Sequence, residues 1–502
     1  MTSTMDGHIN GHAESRMLPP MTAAGIRDGS ASQHGTTSSE TSRDAVDFAV
    51  VRQLRAAVNT DLDRYSQTHS RGGLDRAGQK QLAMHLISSR VAEWADELVA
   101  AGGVPPSAEA ERLLADAVLA AMFGLGRIEQ LLQDDEVEEI FINGASDAIC
   151  RYSDGRTETR PPVAESDEDL LGQLRAIATY HGQNERAVTN AWPFLNLRLP
   201  DGSRLAAQWS ITPHPQVTIR RHRFTDITLT QLVDMGTISK SMAAFLAAAV
   251  AGRRSILIVG SPGSGKTTLL RALARCLPRW ERFATLETEY ELLLHELSGA
   301  FPLLLAAEAR PGTGETDGSG RPAGEVTLAD IFPELLRHGL DRILVGEVRG
   351  PEIIPMLAAM SRGCKGSMAT FHADSARGTF EALAGLLGEH KTSWSHDAAM
   401  AQIATAVDLI VYIDYATTSA GRKTRFVSEI LEVGPVGENG QPSATTIFGP
   451  DPNRPDDPRG YPQHAPEDQT WCYKTGFDLG WLTPGNGGWD QPAPATLIGG
   501  AP

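Results

Sequence analysis

The sequence predicts an α/β protein: a mostly parallel sheet with crossover helices, preceded by a smaller α+β domain. Three observations carry this reading. Between Leu229 and about Gly434, the apolar runs SILIVG, FATLE, DRILVGE, GSMATFH and DLIVYID alternate with helical patterns. Such alternation marks strands joined by helices. The first of these runs delivers a complete GxxxxGK[ST] loop that opens a helix. Finally, 502 residues with 41% apolar and 21% charged side chains suffice for more than one core, at ~150 residues per domain.

Taken in order, residues 1–44 are rich in Ser, Thr, Gly, His and Asp. Such a stretch buries too little surface to offset its ordering entropy, so a disordered leader is expected. Residues 45–224 read as the α+β domain. Helical periodicity is clearest in SAEAERLLADAVLAAMFGLG, where Leu114, Val118 and Met122 share a face and Gly124 and Gly126 stop the pattern. Strand-like EEIFING and AICRYSDGRTETR follow, the latter with a hairpin signal at Asp154-Gly155. A helix near Asp167–Gly182 leads into FLNLRLPDGSRLAAQWS, two strands about an Asp201-Gly202 turn, and then QVTIRRHRF, which turns Val217 and Ile219 inward. Residues 225–434 form the parallel-sheet domain, with a Gly-rich surface loop at 309–325. Residues 435–502 are rich in Pro, Asp and Gly, and Trp471, Trp481 and Trp489 follow no period. A mostly irregular tail is expected there.

Composition excludes several classes. Glycine and proline, 49 and 30 residues, stay well under the ~25–30% of low-complexity chains. A net charge of −17 supplies no global field for nucleic acid, and no nucleic-acid partner is favoured. The four cysteines, Cys150, Cys276, Cys364 and Cys472, lack CxxC spacing, which argues against a disulfide framework or a structural zinc and suits a reducing cytosol. The longest apolar run, Met242 to Ala251, is half of the ~20 residues a spanning helix needs. No transmembrane segment and no secretory signal are expected.

The chemistry centres on Gly260-Ser261-Pro262-Gly263-Ser264-Gly265-Lys266-Thr267, with Thr268 next in the helix. Glycines let backbone amides approach phosphate oxygens, and the helix N-terminus adds partial positive charge. Lys266 is expected to bridge β- and γ-phosphates and Thr267 to ligate Mg²⁺. Further along, DRILVGEVRG delivers Glu347 to the carboxyl edge of the sheet, where ligands of open α/β sheets bind. A carboxylate there can orient or deprotonate a water. FATLETEYE places Glu287 at a strand end and Glu291 four residues on, and GSMATFHA ends a strand in His372. The acids suit the metal or the water, and the histidine suits a γ-phosphate reporter.

These blocks, in this order, resemble the type II/IV secretion-system traffic ATPases, the secretion and pilus-assembly motors, and most of all their tight-adherence (Flp) pilus branch. The resemblance runs from about Asp134 to Gly434 through EVEEIFING, RLPDGSRL, VTIRR, GSPGSGKTTLLRAL, LETEYEL, GEVTLADIFPELLRHGLDRILVGEVRGPE and GSMATFHADS. It implies a homo-hexameric ring whose RecA-like P-loop domain binds ATP and Mg²⁺ against the preceding domain. It also implies a cytoplasmic protein, peripheral at the inner face of the membrane, that works on an inner-membrane platform protein. Residue by residue it implies Glu347 as catalytic glutamate, Glu287 and Glu291 as the acidic box with Glu287 at the metal, and His372 as the histidine box. Arginines reaching the γ-phosphate would come from Arg198, Arg204, Arg220 or Arg221. Three positions depart from the pattern: Thr288 where aspartate is usual, and Phe371 and Asp374 where valine and asparagine are frequent.

Two other functions remain open at this point. One is a conjugation or nucleic-acid translocation motor, disfavoured by the acidic charge and the lack of an aromatic–basic stretch. The other is a nucleotide-binding scaffold that hydrolyses weakly, suggested by Thr288.

Overall fold

The computed structural model describes residues 47–68, 76–181, 193–221, 226–312, 320–391, 393–417, 423–483 and 488–491, and positions 224, 316, 318 and 493. The leader expected at 1–44 lies outside them, as do five residues within the 309–325 loop. The chain divides into two compact units, one within Met1–Gln133 and Val163–Gly182, the other within Asp134–Pro162 and Gln183–Pro502.

The first unit is helical: α1 (Phe48–Thr68), α2 (Arg76–Ala100), α3 (Ala108–Phe123), α4 (Ile128–Leu132) and α5 (Asp167–His181). The four-residue spacing of Leu114, Val118 and Met122 puts all three into its core, beside Val51, Val58, Ile87 and Val91. Ser107 caps α3 by accepting from the amide of Ala110, as its place before the apolar run predicts. The reading of 45–224 as one α+β domain does not match this division, because the helices and the strands of that span fall in different units.

The second unit holds two sheets. The smaller is antiparallel throughout, with β1 (Val137–Asn143), β2 (Ala148–Tyr152), β3 (Thr157–Arg160), β4 (Phe194–Arg198), β5 (Arg204–Gln208) and β6 (Gln216–Arg220) in the order β3-β2-β1-β6-β5-β4. Both expected hairpin turns form, with Gly155 and Gly202 in the left-handed region. Helices α6 (Leu229–Asp234) and α7 (Lys240–Ala251) lead into the larger sheet. Its strands are β7 (Ile256–Val259), β8 (Phe283–Glu287), β9 (Leu305–Glu308), β10 (Arg342–Val348), β11 (Met368–Phe371), β12 (Leu409–Thr417), β13 (Lys423–Val436), β14 (Pro442–Pro450) and β15 (Gly460–Pro462). The order is β15-β14-β13-β12-β7-β11-β10-β8-β9. From β12 to β9 every pair is parallel, and the remaining strands add antiparallel at one edge. Crossovers run through α8 (Lys266–Ala274), α9 (Leu328–Leu335), α10 (Ile353–Arg362), α11 (Thr379–His390) and α12 (His396–Ala406). β7, β8 and β11 are buried along their whole length, because helices cover both faces of a parallel sheet. That explains their mostly apolar spelling, in which Thr285, Glu287 and Thr370 are the exceptions.

The chain beyond 434 departs from the expected irregular tail. It supplies the end of β13, then β14, β15 and α13 (Thr470–Thr475). Trp471 of α13 is 5% exposed and meets the ring of Phe245 edge-on at 5.4 Å, beside Phe477 at 5.7 Å from the same ring. Single aromatic anchors of this kind have no period, so composition concealed them. Among the described residues no helix is long and apolar enough to cross a membrane.

Replacing Trp471 with alanine should open a cavity against α7 and destabilise the chain by about 3 kcal/mol, toward the low end for a buried tryptophan. The low end is expected because its indole N–H has no partner and its removal relieves that penalty. Urea unfolding followed by circular dichroism measures this, and an unchanged midpoint would show that the segment does not complete the core.

Candidate functional site

β7 ends at Val259, and the next residues form a loop that returns into α8. Gly260 has φ +152°, and a Cβ there would stand 2.1 Å from the carbonyl oxygen of Ile413, so only glycine lets the loop leave the strand. Gly265, at φ +103°, caps α8 without a side chain, leaving the first-turn amides of the helix to an anion. Pro262 and Gly263 form an exposed tip, Ser261 and Thr268 are half-buried, and the Ser264 hydroxyl is buried without a partner. Lys266 is 7% exposed. Its Nζ donates to the carbonyls of Gly260 and Ser261, both at 2.9 Å, and lies 3.2 Å from His372 Nδ1. Burial pulls its pKa down to about 8 against the pull of Glu347, so it keeps its charge at neutral pH.

Parallel register brings the other expected residues to the same edge. Glu287 is the last residue of β8, Glu347 the penultimate of β10, and His372 the first beyond β11. His372 Nε2 pairs with Glu347 Oε1, while Arg349 pairs with Oε2. Burial and the neighbouring Lys266 hold the imidazole pKa below its ordinary value. Its Nδ1 then accepts from the ammonium and its Nε2–H donates to Glu347, a tautomer assigned from these partners. Lysine, histidine and glutamate thus form one hydrogen-bonded line.

The acidic loop after β8 is organised differently. Glu287 is 2% exposed, and its Oε2 accepts from the amides of Glu291 and Leu292 at 2.8 and 2.7 Å, while Oε1 has no partner. Burial pushes this carboxyl up to about 7, although the Leu292 amide and Arg271 favour its anion. Glu287 therefore holds the loop backbone. Glu291 faces the P-loop: its Oε2 accepts from the Thr267 hydroxyl at 3.2 Å, its Oε1 pairs with Arg204, and its carbonyl accepts from Arg271.

Arg198, Arg204 and Arg220 are register neighbours across β4, β5 and β6, but the four arginines take different partners. Arg204, on β5, pairs with Glu289 at 2.5 Å and with Glu291, and Arg198 pairs with Glu296. Arg220 pairs with Glu139 of β1 at 3.0 Å, and Arg221, just past β6, pairs with Asp135, just ahead of β1, at 3.2 Å. Arg271 and Glu289 were missed in the sequence, since a helix arginine and one acid among several carry no local mark.

The donor set suits magnesium. Thr267 Oγ1 and the Glu291 carboxylate offer hard oxygens side by side, and among the described residues no three acidic, histidine or cysteine side chains gather into a metal site of their own. Magnesium is ordinarily held by one or two protein oxygens together with substrate phosphates. Glu287 Oε2 is held by two amides, while its Oε1 stays without a partner.

Residues 122–426 match the family model described as Type II/IV secretion system protein. An uncharacterised protein of Methanocaldococcus jannaschii is 34% identical over 257 residues, 49% of this chain and 33% of its own length. The chain thus spans about a third of that relative. The putative conjugal transfer protein Rv3659c of Mycobacterium tuberculosis H37Rv is 29% identical over 66% of this chain and 91% of its own. The type IV secretion system protein VirB11 of Brucella suis is 28% identical over 52% of this chain and 76% of its own. The crystal structure of that VirB11 ATPase aligns at 25% identity over 63% of this chain and 96% of its own, with a TM-score of 0.33.

The buried carboxyl of Glu287 makes a pH prediction. Its pKa is raised from 4.5 to about 7 on folding, so between those values the folded chain binds more protons than the unfolded one. The stability it contributes is full below pH 4.5 and is lost as pH rises toward 7. A tenfold gain in proton affinity is worth about 1.4 kcal/mol. Glu287→Gln keeps an amide acceptor without the titration. Urea midpoints at pH 5 and pH 8 should therefore differ less in the variant than in the wild type, and identical differences would contradict the assignment.

Proposed function

The chain belongs to the Type II/IV secretion system protein family, and on that premise we propose that it is a motor ATPase coupling Mg²⁺-dependent ATP hydrolysis to pilus assembly or protein secretion. The observation that carries this reading is the Lys266–His372–Glu347 line at the carboxyl edge of the parallel sheet. Lysine there neutralises phosphate charge, and a glutamate within reach of the γ-phosphate can take the proton of the attacking water. The imidazole between them orients the Glu347 carboxylate and links it to the group that touches phosphate. Thr267 and Glu291 would hold the magnesium, which would neutralise phosphate charge when bound. Glu287 would set the loop that presents Glu291.

The electrostatic partner we favour among the four arginines is Arg204. It already reaches the carboxylate that bonds Thr267, and a guanidinium binds phosphate oxygens in a planar fork without losing charge. The family premise extends the proposal to a homo-hexamer at the inner face of the membrane, acting on a platform protein, with the tight-adherence pilus machine as the favoured setting. A second reading, a motor of conjugal transfer, is favoured by the name of the mycobacterial relative. Stimulation of turnover by single-stranded DNA would promote it, while the net charge of −17 weighs against it.

Steady-state phosphate release tests the main reading. Lys266→Ala should abolish nucleotide binding, and Glu347→Gln should bind ATP yet turn over ~10²-fold more slowly or worse. Glu347→Gln turning over like wild type would remove Glu347 from the mechanism.

Arg204→Ala should lower turnover by ~10³-fold with a much smaller loss of binding, whereas Arg220→Ala should hydrolyse ATP normally. The reverse pattern in a phosphate-release assay would move the clamp to Arg220, the cross-strand neighbour of Arg204 on β6.

A further inference from the structure

Arg425, on β13, belongs to none of the groups above. Its Nε donates to the carbonyl of Gly263 at the tip of the P-loop, at 2.9 Å. Its Nη2 spans both carboxylate oxygens of Glu138 on β1, at 3.0 and 3.2 Å. Its Cδ lies against Gly265, 3.5 Å from where a Cβ would stand. Two residues earlier, the amide of Lys423 donates to the carbonyl of Asp154 at 3.0 Å, so β13 is bonded to the turn between β2 and β3. One guanidinium therefore joins the phosphate-binding loop to the smaller sheet.

Two features make this contact specific. The first is the shape of β1. It pairs with β2 at Val137–Tyr152 and next at Glu139–Arg151, which leaves Glu138 as the extra residue of a bulge. A bulge re-aims a side chain and recurs beside active sites. Beside it, Glu139 takes Arg151 at 2.9 Å and Arg220 at 3.0 Å, and Glu138 is left for Arg425. The second feature is the peptide joining Gly263 and Ser264. In a planar trans peptide the C=O and N–H point in opposite directions. With the Gly263 carbonyl held by Arg425, the Ser264 N–H is turned into the loop, where it meets the Ser261 carbonyl at 3.3 Å. That is a long bond, and a phosphate oxygen is the stronger acceptor for the same amide.

We infer that Arg425 is a positioning residue for nucleotide: it sets the orientation of the Gly263–Ser264 peptide and, through Glu138, ties that orientation to the smaller sheet. The inference rests on the reading of the loop as a nucleotide site. Arg425 acts through the loop backbone, so its loss weakens ground-state binding more than the chemical step.

The test uses the full-length chain, titrated with Mg²⁺ and a non-hydrolysable ATP analogue, with steady-state ATP hydrolysis measured alongside. Arg425→Ala should raise the Kd of the analogue and the KM for ATP about tenfold, the scale of one charge-assisted hydrogen bond, while kcat changes less than about threefold. Arg425→Lys should be intermediate, because an ammonium cannot fork to both partners. Glu138→Gln should weaken binding in the same direction, and the double variant should be no weaker than Arg425→Ala alone. The inference is overturned if Arg425→Ala binds the analogue like wild type while Lys266→Ala does not, or if the losses in the double variant simply add. Should Arg425→Ala fail to fold, Arg425→Lys and Glu138→Gln decide by the same readouts, and wild-type affinity in both overturns it. A wild-type chain that binds no analogue sinks the nucleotide-site reading and this inference with it, an outcome distinct from binding that is indifferent to Arg425.

Discussion

The ammonium of Lys266 is the group around which this site is arranged. It is almost wholly enclosed, and a charge taken out of water is tolerated only when its hydrogen bonds are replaced. All three of its bonds are internal: two carbonyls of its own loop and the imidazole of His372. Each partner imposes something further. The carbonyl of Gly260 is in reach only because the chain passes beneath Ile413 at a point where a Cβ cannot fit. The imidazole must accept at Nδ1, so its remaining proton points at Glu347. The placing of one lysine therefore fixes a glycine, a tautomer and the direction of a carboxylate on a strand far away in sequence.

A second layer of charge surrounds that line, and magnitudes separate its members. Glu287 and Glu291 are close in sequence, and burial drives the first toward neutrality. Glu291 instead meets Arg204, and its backbone carbonyl meets Arg271. Desolvation outweighs the nearby cations at Glu287 because its carboxyl is sealed behind the loop, and it does so even against the amide that favours its anion. At Glu291 the partly exposed carboxylate meets a guanidinium directly. The acidic box is thus one residue that holds backbone and one that faces the phosphate loop.

The antiparallel edge of the large sheet ties fold to site. β13 pairs with β12 on one side and β14 on the other, and this pairing carries Arg425 to the tip of the P-loop. The strands and aromatic anchors after residue 434 keep that edge buried, with Phe448 and Trp471 both packed on Phe245. A segment whose composition resembles a loose terminus is in this way part of the support for the nucleotide loop.

Local pattern alone determined much of this protein. Strands β7, β8, β10, β11 and β12 are spelled mostly in apolar residues, and the glycines and Lys266 mark the loop because a phosphate cradle demands those residues at that spacing. Glu347 and His372 were legible for the same reason: each closes an apolar run, and in a parallel sheet all such ends lie at one edge. The tertiary structure alone decided which arginines approach the site, that Glu287 is buried, that Glu138 stands in a bulge opposite Arg425, and that Trp471 anchors the last segment. Each of these depends on residues brought together from distant parts of the chain. Arg425 and Glu138 are 287 positions apart, and a side chain's charge, burial and partner are set by what folding brings beside it rather than by its neighbours in sequence.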